Sequence, residues 1–218
     1  MAARPWTLDE IAARIAAELP DGSYVNLGIG MPQLVSNHVP PGREVIYHCE
    51  HGLLGVGPEP PPDQADPDLI DAGSKPVTLI PGAAIFPHDL SFAMIRGGHI
   101  DVTVLGAYQV SGSGDLANWA IAGQSPPSGV GGAMDLAVGA RKVFVMMRHL
   151  DKQGKPKIVN QCSYPLTAPR CVSRIFTDLA VIDVTSEGLV VREMAPGLTI
   201  DELQRATEPP LRLAASIG

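Results

Sequence analysis

The stretch Val25-Asn26-Leu27-Gly28-Ile29-Gly30-Met31-Pro32 joins an apolar segment to a glycine turn and then to a proline. Residues 24–27 have the β-branched and aromatic content of a strand, and Gly28-Ile29-Gly30 predicts a tight turn. Pro32 suits the first position of a helix that extends to about Val39. A strand followed by a turn and a helix is the repeating unit of α/β proteins, so this stretch indicates the fold class.

The turn at Gly28 and Gly30 also has a functional interpretation. Backbone N–H groups at the start of a helix carry partial positive charge, which suits a phosphate or a carboxylate. The third glycine of a dinucleotide-binding fingerprint is absent, because Gln33 occupies that position. Close packing of the helix on the strand would explain both glycines equally well, and the two interpretations remain open.

The alternation of strand and helix continues on both sides of this stretch. Thr7 and Glu10 fit a capping box for a helix that ends near residues 20–22. The pattern predicts a mainly parallel sheet with helices on its faces, in one domain that covers residues 1–218. The further predicted strands are residues 44–47, 77–80, 101–105, 142–147, 179–184 and 189–191, the last of them, and residues 106–114 are expected to form a strand and a turn. The predicted helices are 91–96, 133–140 and a short one capped by Thr199, and residues from Pro209 onward are expected to form a tail.

Composition excludes several classes of protein. The 218 residues carry a net charge of −7 with scattered basic residues, which argues against nucleic acid or an anionic membrane as a partner. No stretch has the length of a membrane span, and the amino terminus lacks a secretory signal, so we expect a cytoplasmic protein. Cys49, Cys162 and Cys171 show no zinc-site spacing, and we expect free thiols and no metal.

Glu50 is the first candidate for a reacting group. It follows the predicted strand 44–47 and precedes Gly52, Gly55 and Gly57, which we expect to prevent the strand from continuing. Loops at the carboxyl ends of strands hold ligands in open α/β sheets. A glutamate in a loop is, however, commonly only solvated, and the pattern alone does not exclude this.

A second glycine cluster, Gly131 and Gly132, precedes the predicted helix 133–140. Exposed N–H groups there would suit an oxyanion, although the glycines would equally well serve only to start the helix. His48, Glu50 and His51 form only a partial metal-ligand set, and neither a HExxH nor a GxSxG motif exists. Glu50 and the two glycine clusters therefore favour chemistry by a carboxylate nucleophile. A carboxylate is ionised at neutral pH without an accessory base.

Five blocks that together cover nearly the whole sequence stand out in order along the chain. They are Val25-Asn26-Leu27-Gly28-Ile29-Gly30-Met31-Pro32, Glu50-His51-Gly52-Leu53-Leu54-Gly55-Val56-Gly57-Pro58, Asp68-Leu69-Ile70-Asp71-Ala72-Gly73, Ser91-Phe92-Ala93-Met94-Ile95-Arg96-Gly97-Gly98-His99 and Gly131-Gly132-Ala133-Met134-Asp135-Leu136. With these blocks the chain resembles the B-type subunit, one of the two subunits of the 3-oxoacid CoA-transferases. The match departs from the family motif Glu-Asn-Gly-Leu-Leu-Gly at His51, where asparagine is usual, and Cys49 stands where serine is common.

The resemblance implies a three-layer α/β/α fold and a set of site residues. Glu50 takes the place of the family's nucleophile, which becomes a glutamyl-CoA thioester in a ping-pong reaction. Coenzyme A thioester is then a substrate, and no cofactor is expected. The resemblance also implies a partner, the A-type subunit, in an α2β2 heterotetramer. Gly131 and Gly132 match the oxyanion region; Asn26, Gly28, Gly30, His51 and Lys75 match CoA or substrate-binding positions, with Lys75 displaced by one residue because Ser74 precedes it.

The acceptor acid is a finer question. The stretches 66–71, 144–147, 161–167 and 171–175 are similar to the 3-oxoadipate branch of the family, and residues 121–126 lack a run familiar from acetoacetate enzymes. The resemblance therefore favours transfer from succinyl-CoA to 3-oxoadipate, a step in the breakdown of aromatic compounds through the β-ketoadipate pathway. Acetoacetate is the close alternative. A non-catalytic ligand-binding module on the same fold is the more distant one.

Overall fold

The computed structural model describes residues 3–121, 123 and 129–215. Helix α1 (Leu8–Glu18) begins with the expected capping box, in which Thr7 and Glu10 each bind the other's backbone N–H. Its apolar face packs on the sheet and is completely buried at Ile11 and Ile15. The other α-helices are α2 (His88–Arg96), α3 (Ala133–Gly139) and α4 (Ile200–Arg205), and short 3-10 helices cover Met31–His38 and Pro62–Gln64.

Ten of the described strands form one sheet, in the order β13-β12-β11-β10-β8-β5-β1-β2-β3-β4. A smaller sheet has the order β7-β6-β9. The strands are β1 (Ser23–Leu27), β2 (Val45–Cys49), β3 (Leu53–Val56), β4 (Leu79–Ile85), β5 (Val102–Leu105), β6 (Gln109–Ser111), β7 (Leu116–Ala117), β8 (Lys142–Met146), β9 (Ile158–Val159), β10 (Val172–Phe176), β11 (Ala180–Thr185), β12 (Gly188–Met194) and β13 (Leu211–Leu213).

The central strands β2, β1, β5, β8 and β10 are all parallel, which confirms the α/β fold class with a mainly parallel sheet. Antiparallel pairs occur toward the two ends of the sheet, at β2-β3-β4 and at β10-β11-β12. Two buried apolar clusters lie on opposite faces of the sheet. One includes α1 and β1, and the other includes residues of α2, α3, α4 and the small sheet, which gives the expected three layers.

The structure corrects two sequence-based expectations about strands. The glycine-rich segment after Glu50 does not remain a turn, because Leu53–Val56 forms β3 and pairs antiparallel with β2. Gly55 has a φ of +83° and lies at a bulge in the pairing of β3 with its other neighbour, β4. The segment after Pro209 is not simply a tail either, since Leu211–Leu213 pairs parallel with β12.

Two further observations concern membrane-spanning helices and the stretch that bears on the choice of acceptor acid. Among the described residues, no helix combines the length and the apolar character that crossing a membrane requires. Residues 122 and 124–128 lie outside the described part of the chain, so most of the stretch 121–126, which entered the choice of acceptor, has no structural account.

Candidate active site

Glu50 lies in the tight turn that connects β2 to β3. The turn closes through a hydrogen bond of 3.0 Å from the Gly52 N–H to the Cys49 carbonyl. Gly52 has a φ of +125°, and a Cβ atom there would lie 2.2 Å from the Phe86 carbonyl oxygen. Because only glycine combines this backbone angle with this close approach, Gly52 fixes the turn that presents Glu50.

Asn26 holds the Glu50 carboxylate from the neighbouring strand. The parallel register of β1 and β2 pairs Asn26 with His48, which places both side chains beside the start of the turn. The Asn26 Nδ2 atom lies 3.2 Å from Glu50 Oε2 and 3.2 Å from the His48 carbonyl oxygen. Asn26 is completely buried, so this amide is a fixed donor rather than a mobile surface group.

His48 contacts the side chain of Asn26 and is buried as well. Its Nδ1 atom lies 3.3 Å from Asn26 Nδ2, which can only donate, so Nδ1 is an acceptor. The Nε2–H group is then free to donate to Ser91 Oγ, at 2.9 Å. Burial, with a smaller contribution from nearby His51, lowers the pKa of His48 to about 4, which keeps the imidazole neutral at pH 7.

Sequence reasoning missed this role of His48 and considered the residue only as a partial metal ligand. The signal present in the chain was proximity, because His48 lies near the end of β2, two residues before Glu50. The contribution of Ser91 had no such signal, since it depends on how α2 packs.

Gly132 contacts Glu50 from the start of α3. A Cβ atom at Gly132 would lie 3.3 Å from Glu50 Cγ and 3.2 Å from the ring of Phe92. Gly131 has a φ of +53°, and no atom of the described residues lies within 4 Å of the position of its missing Cβ. The structure thus brings the second glycine cluster next to the glutamate, as an oxyanion region would require, and the oxyanion role itself stays a prediction.

His51 follows Glu50 and turns toward the loop between β3 and β4. Its Nε2–H donates to the Ile70 carbonyl oxygen at 2.8 Å. Its Nδ1 atom is buried and has no hydrogen-bond partner among the described residues. A buried acceptor without a partner costs free energy, so a substrate group or water is expected there, and the binding role of His51 remains a prediction.

Gly30 and Lys75 both line a cavity of about 370 Å³. Its walls also include Tyr47, His48 and Cys49 of β2, whereas Glu50 is not among its lining residues. The cavity therefore reaches β2 beside His48, whose ring contacts Asn26. The binding roles of Gly30 and Lys75 remain predictions.

The loop that carries Lys75 is attached to the first glycine turn by a polar contact. The Gln33 side-chain amide donates to Asp71, whose other oxygen accepts the backbone N–H groups of Gly73 and Lys75 at 2.7 and 2.9 Å. The Gln33 side-chain carbonyl oxygen in turn accepts the Gly30 N–H at 3.1 Å. Gln33, which stands where a fingerprint would have glycine, therefore connects the two segments.

Gly28 allows two strands to approach each other. Its N–H donates to the Val104 carbonyl oxygen on β5 at 2.8 Å, and a Cβ atom would lie 3.0 Å from the same oxygen. This N–H is already used within the sheet. A substrate contact at Gly28 stays a prediction. Because the N–H is not available, Gly28 would favour such a contact only by letting the substrate approach the backbone closely.

In the part of the chain that the structure describes, the Glu50 carboxylate has an amide donor rather than a cation as its partner. Among the described residues, Glu50 takes part in no ion pair, and no group of three or more histidine, cysteine, aspartate or glutamate side chains is placed to hold a metal ion. The arrangement is a partly buried carboxylate with one fixed amide donor and a glycine at contact distance. Such a carboxylate can act as a nucleophile toward an activated acyl group.

The fold resembles solved structures of enzymes that act on acyl-CoA. The apoenzyme of the acyl-CoA transferase YdiF from Escherichia coli O157:H7 superposes with a TM-score of 0.74 at 18% identity. The match covers 98% of this chain and 44% of that chain. At this level of identity the likeness shows the fold alone.

Sequence comparison gives a closer relationship. The chain is 56% identical over 202 residues to the B-type subunit of the 3-oxoadipate CoA-transferase of Pseudomonas putida, which covers 93% of this chain and 94% of that protein. It is 51% identical over 199 residues to the human mitochondrial succinyl-CoA:3-ketoacid coenzyme A transferase 2, covering 90% of this chain and 38% of the human protein. Residues 8–206 match the family model described as coenzyme A transferase, and the chain therefore belongs to the coenzyme A transferase family.

Proposed function

We propose that this chain is the B-type subunit of an enzyme that transfers coenzyme A from succinyl-CoA to a 3-oxo acid, with 3-oxoadipate as the acceptor. The observation that carries the proposal is the position of Glu50, whose carboxylate accepts a hydrogen bond from buried Asn26 and contacts Gly132. The name of the Pseudomonas putida relative supports 3-oxoadipate. Succinyl-CoA as the donor is supported by the name of the human relative.

The reaction begins when a Glu50 carboxylate oxygen attacks the thioester carbonyl carbon of succinyl-CoA. The carbon–sulfur bond breaks, CoA thiolate leaves, and a mixed anhydride joins Glu50 to succinate. The thiolate then attacks the glutamyl carbonyl carbon, which releases succinate and leaves a thioester between Glu50 and CoA. No proton is gained or lost in this half of the reaction.

The second half repeats these steps with the acceptor acid. A carboxylate oxygen of 3-oxoadipate attacks the glutamyl carbonyl carbon of the thioester, and CoA thiolate leaves as a new anhydride forms. The thiolate attacks the acyl carbon of the acceptor, which gives 3-oxoadipyl-CoA and restores the Glu50 carboxylate. The cycle is ping-pong, because succinate departs before the acceptor reacts.

The surrounding groups have separate roles in this proposal. The Asn26 amide orients the carboxylate for attack, since its donor is fixed between β1 and β2. The N–H groups of Gly131 and Gly132 stabilise the oxyanion of each tetrahedral intermediate. His51 contributes to substrate binding beside Glu50. Gly28, Gly30 and Lys75 contribute to binding of the CoA thioester, which is a substrate rather than a resident cofactor.

The proposal includes a second polypeptide. The Pseudomonas putida relative is named as one lettered subunit of its enzyme, and the matched region of the human relative occupies 38% of a longer polypeptide. We infer an A-type partner in an α2β2 assembly. Purified alone, this chain is expected to be inactive, and turnover without any partner would contradict that inference.

Mass spectrometry tests the nucleophile directly. The chain, assembled with its cognate A-type partner, is exposed to succinyl-CoA alone and then digested for peptide mapping. We expect a mass increase of one coenzyme A less one water, located on Glu50. Glu50→Gln removes the adduct, while Glu44→Gln, at the exposed start of the segment that leads to Glu50, retains it. Absence of an adduct in the assembled wild type would favour a non-catalytic binding module instead.

The same adduct identifies the acceptor. Addition of 3-oxoadipate is expected to discharge the CoA adduct faster than addition of acetoacetate at equal concentration. Acetoacetate is the second candidate, because the human relative at 51% identity is named for 3-ketoacids in general. Faster discharge by acetoacetate would assign the chain to that reaction.

A further inference from the structure

Four buried polar side chains form a row that leads from the sheet to helix α2. Thr103 on β5, Asn26 on β1 and His48 on β2 are partners in the parallel register, so their side chains lie on one face of the sheet. The His48 ring continues the row to Ser91 on α2, at 2.9 Å. Thr103, Asn26 and Ser91 are completely buried, and His48 is 3% exposed. The row therefore lies away from solvent, where an unpaired polar group is costly.

The Asn26 amide has two possible orientations, which exchange its nitrogen and its oxygen. In the orientation that the structure shows, the nitrogen faces Glu50 Oε2, the His48 carbonyl oxygen and His48 Nδ1, at 3.2, 3.2 and 3.3 Å. In the opposite orientation Asn26 Oδ1 would face the same groups, and its partial negative charge would repel the Glu50 carboxylate. The orientation of this amide therefore decides whether Glu50 has a donor or a repulsive neighbour.

Thr103, at one end of the row, is compatible with both orientations. Its Oγ1 atom and Asn26 Oδ1 are buried, and neither has a hydrogen-bond partner among the described residues. A hydroxyl group can donate to an amide oxygen or accept from an amide nitrogen. Thr103 therefore does not select the orientation, and the other neighbour of Asn26 in the row, His48, is the side chain to consider.

The His48 ring supports or opposes the orientation of Asn26, depending on which ring nitrogen carries the proton. With the proton on Nε2, Nδ1 accepts from the Asn26 amide and Nε2–H donates to Ser91 Oγ. With the proton on Nδ1, an N–H group would face the amide nitrogen, and Asn26 would have to turn its oxygen toward the ring. The tautomer of His48 is thus coupled to the donor that Glu50 receives.

Ser91 supplies the acceptor that the Nε2–H tautomer of His48 requires. A buried N–H group without an acceptor is rarer in proteins, and more costly, than a buried acceptor without a donor. If the Ser91 hydroxyl were absent, the proton would have less reason to stay on Nε2. The Nδ1–H tautomer would then gain population, and it favours the wrong orientation of Asn26.

We propose that His48 and Ser91 are positioning residues that hold the Asn26 amide with its nitrogen toward the Glu50 carboxylate. The proposal rests on the CoA-transfer function proposed above, and it names two residues that serve the same site without touching the reacting atoms. A Glu50 carboxylate that met an amide oxygen would move away from its position for attack. Such a displacement lowers the rate of the chemical step more than it weakens substrate binding.

Two substitutions and their combination test the row in the enzyme assembled with its A-type partner. Ser91→Ala removes the acceptor of Nε2–H, and His48→Leu replaces the ring by an apolar side chain. Each is expected to lower kcat by roughly 10-fold, while KM for succinyl-CoA stays within about twofold of the wild type. Because Ser91 acts through the ring, the double variant is expected to be no less active than His48→Leu. Independent roles would instead multiply the two losses.

Ser23→Ala is the matched control for Ser91→Ala. Ser23 is 3% exposed, and its hydroxyl donates to the Pro20 carbonyl oxygen at 2.6 Å. It lies at the start of β1, whereas Asn26 lies near the end of that strand. Ser23→Ala is expected to lose stability but to keep the kcat of the wild type. If it lowered kcat as much as Ser91→Ala does, the effect of Ser91 would be general destabilisation, and the proposal would be overturned.

Nitrogen-15 NMR of the imidazole rings gives a measurement that does not depend on turnover. The two neutral tautomers differ in their nitrogen shifts, and the spectrum of His48→Leu identifies the His48 signals among those of the six histidines. In the full chain without substrate at pH 7, we expect His48 to be the Nε2–H tautomer. Ser91→Ala is expected to raise the fraction of the Nδ1–H tautomer. A wild-type His48 in the Nδ1–H form, or a tautomer that Ser91→Ala leaves unchanged, would overturn the proposal.

The two kinds of measurement separate this inference from the proposed function. If the assembled wild type gains no CoA adduct, the CoA-transfer proposal fails, and the nitrogen shifts alone decide whether His48 and Ser91 fix the Asn26 amide. If the adduct forms but kcat of the double variant falls by the product of the two single losses, CoA transfer stands and the positioning role is overturned.

Discussion

The amide nitrogen of Asn26 lies 3.2 Å from a carboxylate oxygen of Glu50, although 24 residues separate them in the sequence. The contact exists because β1 and β2 are parallel neighbours whose register pairs Asn26 with His48. Parallel strands bring their carboxyl ends to the same edge, where the chain leaves the sheet. A buried amide at that edge is a fixed donor for a reacting carboxylate.

Replacement of Asn26 by alanine is expected to reduce kcat of the assembled enzyme by roughly 10- to 100-fold, the loss of one hydrogen bond to a charged group. The substitution also leaves the His48 carbonyl oxygen without this donor, so the free energy of unfolding is expected to fall by about 1–3 kcal/mol. Steady-state kinetics and urea unfolding measure the two effects.

The control for this change is Asn160→Ala. Asn160 is exposed, and among the described residues only its backbone N–H, which alanine retains, takes part in a hydrogen bond, to Glu208. Its replacement is expected to leave kcat and stability within experimental error of the wild type. Equal kcat for Asn26→Ala and Asn160→Ala would contradict the orienting role of Asn26.

Gly132→Ala tests the contact between the start of α3 and Glu50. Gly132 has a φ of −82°, so alanine introduces no backbone strain there. Its Cβ would lie 3.3 Å from Glu50 Cγ, which must shift by a few tenths of an ångström. We expect kcat to fall about 10-fold or more, since small displacements of reacting groups have large kinetic effects.

Gly106→Ala is the matched control for Gly132→Ala. No atom among the described residues lies within 4 Å of the position of a Gly106 Cβ, and its φ is outside the left-handed region. Normal kcat is expected for this variant. If Gly132→Ala were as active as Gly106→Ala, the glycine would be needed only to start α3.

Much of the fold could be predicted from local pattern because the central strands are buried on both faces. The segments around Val143 and Val181 are continuous apolar runs, which identify them as core strands without knowledge of their neighbours. Strands β3, β7, β9, β10 and β13 escaped prediction for physical reasons. β3 contains Gly55 at a bulge, and the apolar run of β10 is interrupted by Ser173 and Arg174. β7, β9 and β13 have only two or three residues, too few to show a period.

The candidate site was predictable where sequence neighbours determine it and not where packing does. Glu50 at the end of a strand and Gly132 at the start of a helix each follow from local pattern. The placement of Lys75 in one cavity with Gly30 and Tyr47 does not, because it depends on how segments that are distant in the sequence pack together. The Gln33 contact with Asp71 likewise arises from a loop that folds back over the glycine turn.

Gly52→Ala is expected to disrupt the turn that presents Glu50. The substitution combines an unfavourable φ of +125° with a Cβ position 2.2 Å from the Phe86 carbonyl oxygen. The expected loss of unfolding free energy is at least about 3 kcal/mol, measured by urea denaturation. Gly42→Ala is the control, because its φ is +80° but its Cβ position is open.

Gly42→Ala isolates the cost of the backbone angle, about 1–2 kcal/mol, from the cost of the close approach. The difference between the two variants therefore measures how tightly the turn is held against Phe86. Equal destabilisation by Gly52→Ala and Gly42→Ala would mean that the backbone at Phe86 shifts to make room for the new Cβ. Gly52 would then be required only for its φ.

Two buried histidines make the stability of the chain depend on pH. Burial lowers the pKa of His48 to about 4, and burial also lowers the pKa of His149 to about 4. His149 is completely enclosed, between the hydroxyl groups of Thr177 and Thr207 at 2.9 Å each. An unfolded histidine has a pKa near 6.5, so between about pH 6.5 and 4 the unfolded state binds protons that the folded state does not.

The free energy of unfolding is therefore expected to fall as the pH decreases from about 6.5 to 4, by on the order of 3 kcal/mol for each histidine. Carboxyl groups titrate in part of the same range, so the comparison of variants isolates the histidine effect. His149→Gln is expected to reduce the slope by up to about 1.4 kcal/mol per pH unit. Urea unfolding at pH 7, 6 and 5 measures the slopes. Parallel curves for His149→Gln and the wild type would show that His149 accepts a proton in the folded state.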